Sequence, residues 1–233
     1  MAMSPRLLRP RATGFNPKSI AGLQLWLDAS DASSVVLNGS TVSQWSDKSG
    51  NGRNATQGTA NNQPTFSAAA RNGRSVLSFD GSNDSLLTSS FSISQPFTIA
   101  LVGKINSTAA NGNFSDGGTS GRAAVFFTTG NGGQWAAFAG VAISGGVANT
   151  DWHVFHAHFN GSSSALYVDG TSVASGNAGT DGFNGLRIGG FTASIALLNG
   201  SIAEMYCYSG QSTADSRSKI TQGLGKKWGI TVA

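Results

Sequence analysis

Between residues 22 and 209 no apolar pattern keeps a helical period, and short alternating runs are cut again and again by glycine, asparagine and aspartate. Runs of four to eight residues bounded by such turn formers read as strands. Strands are expected over 23–28 (LQLWLD), 42–45, 63–66, 75–79, 96–102, 123–128, 134–138, 152–159, 165–168, 171–173, 185–188 and 200–208. Residues 96–102 (PFTIALV) are apolar almost throughout and predict a central strand. Asp169-Gly170 between two alternating runs predicts a hairpin with a type I′ turn, because that turn needs positive φ at both central residues. The Gly/Asn/Ser stretch 106–121 predicts a long exposed loop.

A helical period begins only at residue 212. Ile220, Leu224 and Trp228 recur four apart and make one apolar stripe that should dock on a sheet. Ser212 to Asp215 resembles a capping box, and Gly229 is placed to stop the helix. Gly223 and Gly225 each cost about 1 kcal/mol against alanine, so packing must hold this helix together. The fold expected is all-β: a two-sheet antiparallel jelly-roll sandwich over residues 20–233, with a C-terminal helix at 212–228 and an extended N-terminal arm at 1–19. Prolines 5 and 10 deny the arm a helix or a central strand.

Hydrophobic residues make up 39% of the chain, enough for a core of its own, and the lone cysteine, Cys207, can close no intrachain disulfide. Cys207 sits in an apolar run and reads as core filler. No window approaches ~18 apolar residues, so no membrane span is expected, and the opening residues break any secretory leader with arginine and proline. The net charge of +4 collects at the two ends, with Arg6, Arg9, Arg11 and Lys18 at one and Arg217, Lys219, Lys226 and Lys227 at the other. The body carries no basic stripe interleaved with aromatics, so nucleic acid is not an expected partner.

Glycoside hydrolysis needs two carboxyl groups about 5–10 Å apart. Glu204 is the single glutamate, its alternate neighbours are Ile202 and Tyr206, and no Asp-x-Asp occurs. The three histidines, His153, His156 and His158, share one expected strand, and no Gly-x-Ser-x-Gly elbow accompanies them. The chain is therefore expected not to be an enzyme. His156 and His158 share a strand face and could chelate a metal, but zinc needs three or four ligands and no third is apparent. Trp45, Trp135 and Trp152 lie in or beside apolar runs and read as core, with stacking on sugar as the alternative.

Residues 23–28, 45–55 (WSDKSGNGRNA), 76–86 (VLSFDGSNDSL), 152–170 and 199–206 (NGSIAEMY) together resemble, in order, the concanavalin A-like/laminin-G jelly-roll domains of tailed-bacteriophage and bacterial surface proteins. The resemblance implies a virion surface protein, assembled in the host cytoplasm as a capsid decoration or tail-associated module and forming homo-oligomers. It would be held on other virion proteins by Arg6, Leu7, Leu8, Arg9, Arg11 and Phe15 of the arm. A second implied role is adhesion to a host-surface glycan. The family's calcium site at the sandwich rim would fall on Asp80, Asn83 and Asp84, residues that could equally cap the amides of a turn.

Overall fold

A computed structural model describes residues 14–129, 132–191 and 195–233. Among them, eighteen strands precede one α-helix. They are β1 (Leu23–Asp28), β2 (Val35–Asn38), β3 (Thr41–Trp45), β4 (Ala55–Thr56), β5 (Thr65–Arg71), β6 (Arg74–Asp80), β7 (Leu86–Thr88), β8 (Ser92–Ile93), β9 (Phe97–Ile105), β10 (Gly112–Gly121), β11 (Ala124–Thr128), β12 (Gln134–Phe138), β13 (Ala142–Val147), β14 (His153–Phe159), β15 (Ser164–Val168), β16 (Thr171–Gly176), β17 (Phe183–Ile188) and β18 (Asn199–Ser209). The helix, α1, is Ala214–Trp228.

Every pairing is antiparallel, and the strands form one continuous array. One run is β16–β15–β14–β9–β18, with β1 and β6 sharing the far side of β18. The other is β13–β12–β11–β10–β17, continued through β7, β4, β3 and β2. Strand β5 joins the runs by pairing with both β6 and β3.

The central strand is apolar on both faces because both are covered. Phe97, Ile99, Leu101 and Ile105 of β9 enter the main core with Leu25, Leu27, Met205 and Cys207. Ala100 and Val102 face a second cluster under α1, with Val154, Tyr206, Tyr208 and the helix stripe Ile220, Leu224 and Trp228. Burial pushes the Cys207 thiol up to about 12, so it is a packing group rather than a nucleophile. Trp45 and Trp135 are buried in the main core, and Trp152 packs against the second cluster. Asp169 and Gly170 both have positive φ at the expected hairpin.

Two local expectations are corrected. The stretch 106–121 is not a loop throughout: it contains β10, which pairs with β11 and β17. Its glycines allow close backbone approach, since a Cβ at Gly117 would overlap the Gly121 carbonyl. The wholly buried Asp116 accepts from Arg122, Asn113 and the Gly117 amide. The capping box of α1 is formed by Thr213 and Ser216 rather than by Ser212 and Asp215: Ser216 N–H donates to Thr213 Oγ1, and Thr213 N–H to Ser216 Oγ. Gly229 ends the helix in the left-handed region, φ 65°.

Gly223 looked like a defect in the helix, yet it is a seat. Any Cβ there would overlap the Phe15 ring, which lies on the helix beside Tyr206. Helix propensity alone predicts that Gly223→Ala gains about 1 kcal/mol. The expected result is a net loss of about 1 kcal/mol, because overpacking costs about 1–3 kcal/mol. Combining it with Phe15→Ala should turn the alanine's effect favourable, a reversal that thermal melts of the four chains would read directly.

Candidate functional site

Strand β1 lies beside β18 in a register that sets Trp26 against Tyr206 and Asp28 against Glu204. Alternation sends Leu25 and Leu27 into the main core and leaves Trp26 and Asp28 on the helix side of the sheet. On β18 a register shift between Ile202 and Glu204 resets the alternation. Ile202 therefore stays in the main core while Glu204 joins Tyr206 under α1.

Glu204 is 1% exposed and fully engaged. Its Oε1 accepts from Trp26 Nε1 at 2.9 Å and Tyr206 OH at 2.8 Å. Its Oε2 accepts from Trp228 Nε1 at 2.7 Å and pairs with Lys227 Nζ at 2.7 Å. Lys227 also meets Asp28 Oδ1 at 2.8 Å, and Lys48 bridges Asp28 Oδ2 at 2.8 Å to Asp31 Oδ2 at 2.7 Å. Burial works to raise the Asp28 carboxyl, but Lys227 and Lys48 outweigh it and hold the group below its ordinary value. Burial, and then the charge of Glu204, pushes the Tyr206 hydroxyl well above the usual phenol range. A carboxylate pair thus exists across two strands, with a lysine between its members.

Beside this network opens a groove of about 760 Å³, lined by Phe15, Trp26, Glu204 and Tyr206 and by residues of α1. The helix contributes Lys219, Gln222, Gly223, Lys226 and Lys227, and Arg74 of β6 lines it as well. Lys48 covers one face of Trp26, 4.5 Å from the ring centroid, and Tyr206 meets that indole edge-on.

The remaining expected sites fall elsewhere. Of the arm residues, Arg6, Leu7, Leu8, Arg9 and Arg11 lie outside the described residues, and Phe15 packs on the chain's own helix. Asp80, Asn83 and Asp84 do come together in one turn. Asp80 Oδ1 accepts from the Ser82 and Asn83 amides, and Asp84 Oδ2 from the Asp80 amide. Burial, together with the charge of Asp80, raises the Asp84 carboxyl to about 6. The donors left for a hard cation are one oxygen of each aspartate and Asn83 Oδ1, which is buried without a hydrogen-bond partner. His156 Nε2 meets Ser212 Oγ, two residues before α1, and His158 Nδ1 meets Thr98 Oγ1 of β9. Among the described residues no set of three or more His, Cys, Asp or Glu side chains is arranged to hold a metal.

No family model and no curated protein matches this chain. Solved structures do. Domain 4 of AbnA, a GH43 extracellular arabinanase from Geobacillus stearothermophilus, determined with arabinotriose, superposes with a TM-score of 0.63 at 14% identity, covering 87% of this chain and 99% of that one. Trypanosoma rangeli sialidase, determined with the inhibitor DANA, gives 0.59 at 18% identity over 91% of this chain, which spans only 34% of the sialidase. The binding domain of Paraclostridial Mosquitocidal Protein 1 gives 0.58 at 12% identity, covering 91% of this chain and 56% of that one. At these identities the likeness is one of fold. It nonetheless overturns the expectation that the chain is not an enzyme, because the same fold occurs as part of a sialidase and of an arabinanase. Asp28 stands opposite Glu204, a pairing across strands rather than along one, but both carboxylates are buried and held by Lys227.

Proposed function

We propose that this domain binds an oligosaccharide in the groove between β1, β18 and α1. The observation that carries the reading is the groove's make-up: the half-buried aromatic side chains Phe15 and Trp26, backed by the buried Tyr206, against a flank of hydrogen-bonding groups, Gln222, Lys219 and Lys226. Its size lies in the ~300–1,000 Å³ range of small-ligand sites, which combine apolar walls with a few fixed polar groups. The Glu204 network holds the Trp26 indole in place, so the wall is ordered before a ligand arrives. Similarity to a whole arabinanase domain determined with arabinotriose supports the same reading.

Within it, the strand array is taken as a two-sheet jelly-roll sandwich of the concanavalin A-like/laminin-G type, and the ligand as a host-surface glycan. Attachment to a virion through the arm has no observation in the described residues to carry it, because its other anchor residues lie outside them and Phe15 is spent on α1.

A glycan array followed by calorimetric titration tests the proposal. Trp26→Ala is expected to weaken binding at least about tenfold, the worth of about 1.4 kcal/mol of ring contact, while far-UV circular dichroism stays that of the parent. Binding of no saccharide, or a Trp26→Ala chain that binds as the parent does, would sink it.

A further inference from the structure

We infer that the groove selects an anionic saccharide, its carboxylate or sulfate seated against Lys226 and Lys219; this rests on the saccharide-binding reading above. Lys219, Gln222 and Lys226 follow one another at three- and four-residue steps, which places them along one flank of α1, and all three line the groove. With Arg74 and Lys227, four basic side chains stand there against one acidic one, Glu204. The charge of that carboxylate is offset in part by Lys227, which it shares with Asp28, and its oxygens are held by Trp26, Tyr206 and Trp228.

The four cations are not equivalent. Lys227 is committed to Asp28 and Glu204. Arg74 Nε donates to the Lys227 carbonyl at the end of the helix. Lys219 shares its ammonium with the exposed Asp215, a solvent-screened pair that yields readily to a second anion. Lys226 is exposed and has no hydrogen-bond or ion-pair partner among the described residues. Lys226 is therefore the charge in surplus, with Lys219 one step along the same flank. A sugar ring laid on Phe15 and Trp26 with its acid group toward Lys219 and Lys226 would satisfy both sides of the groove. Residues 1–13 hold three arginines and no acid, so they carry no charge complementary to Lys219 and Lys226.

The test titrates the full chain with trigalacturonic acid, a sulfated trisaccharide and neutral galactotriose, at about 0.05 M and about 0.5 M salt. An acidic trisaccharide is expected to bind at least about tenfold tighter than the neutral one at low salt. That preference should fall to about twofold at high salt and in the Lys219→Ala, Lys226→Ala double variant, whose side chains are exposed and can be removed without unfolding. Whichever acidic sugar binds tighter names the anion. Equal binding of galactotriose overturns the selectivity but leaves the saccharide reading intact, whereas binding of none of the three overturns that reading itself. An equal loss from Lys18→Ala, outside the groove, marks the preference as general charge attraction and also overturns it.

Discussion

Replacing Glu204 by alanine is expected to cost about 3–5 kcal/mol of stability, the toll of breaking one side of a buried ion pair, and to lower the melting temperature by about 10 °C. Four donors converge on this carboxylate: Trp26 Nε1, Tyr206 OH, Trp228 Nε1 and Lys227 Nζ. Lys227 keeps Asp28, but Trp228 Nε1 and Tyr206 OH lie in buried side chains and would lose their acceptor outright. Since Trp26 belongs to β1, Glu204 to β18 and Trp228 to α1, the same change loosens the sheet from its helix. Glu204→Gln should cost roughly half as much: its carbonyl can still accept from Trp26 and Tyr206, while its amide N–H groups would face the donors of Trp228 and Lys227. Urea unfolding read by tryptophan fluorescence measures both. A loss under about 1 kcal/mol for Glu204→Ala would show that the network is not what fastens α1 to the sheet.

The sequence exposes this site only in part, and the reason is geometric. Along a strand, alternation tells which side chains share a face, and in residues 25–28 Leu25 and Leu27 take one face and leave Trp26 and Asp28 on the other, while a register shift after Leu23 sets that leucine with Trp26. A tryptophan beside an aspartate on the face turned away from the core was a legible signal. What alternation does not tell is which strand lies alongside or in what register, so Asp28 opposite Glu204 was invisible to a search along the chain. The shift between Ile202 and Glu204 misled that search further, because the residue two places before Glu204 belongs to the other face. Glycine was ambiguous in the same way. Asp169-Gly170 read correctly as a turn, whereas the glycines of 106–121 support a paired strand and Gly223 makes room for Phe15. The helix stripe, by contrast, needed only its own period, and Ile220, Leu224 and Trp228 are all buried.

Acid should weaken the fold through the two histidines that α1 covers, and the sign follows from their burial. His156 is wholly buried, with Nε2 3.0 Å from Ser212 Oγ and Nδ1 without a hydrogen-bond partner among the described residues. Burial, then the charges of Arg217 and His158, lowers its pKa from 6.5 to about 3. His158 is lowered as well, chiefly by burial. Below pH 6.5 the unfolded chain takes up a proton that folded His156 refuses until about pH 3, so stability is lost as the pH falls through that window. At about 1.4 kcal/mol per pH unit, His156 alone should remove about 2–3 kcal/mol between pH 6.5 and 4.5. Asp84 acts in the opposite sense: its carboxyl is raised to about 6, so the folded chain gains stability as the pH drops through 6. The parent's acid limb therefore mixes the two, and the contribution of His156 is isolated by the difference from His156→Gln, whose amide can still meet Ser212 but does not titrate. That variant is expected to hold about 2–3 kcal/mol more of its neutral-pH stability at pH 4.5 than the parent holds of its own, measured by urea unfolding at both pH values. Parallel acid limbs in the two chains would mean that the His156 ring takes up its proton in the folded state, and that the helix does not seal it from water.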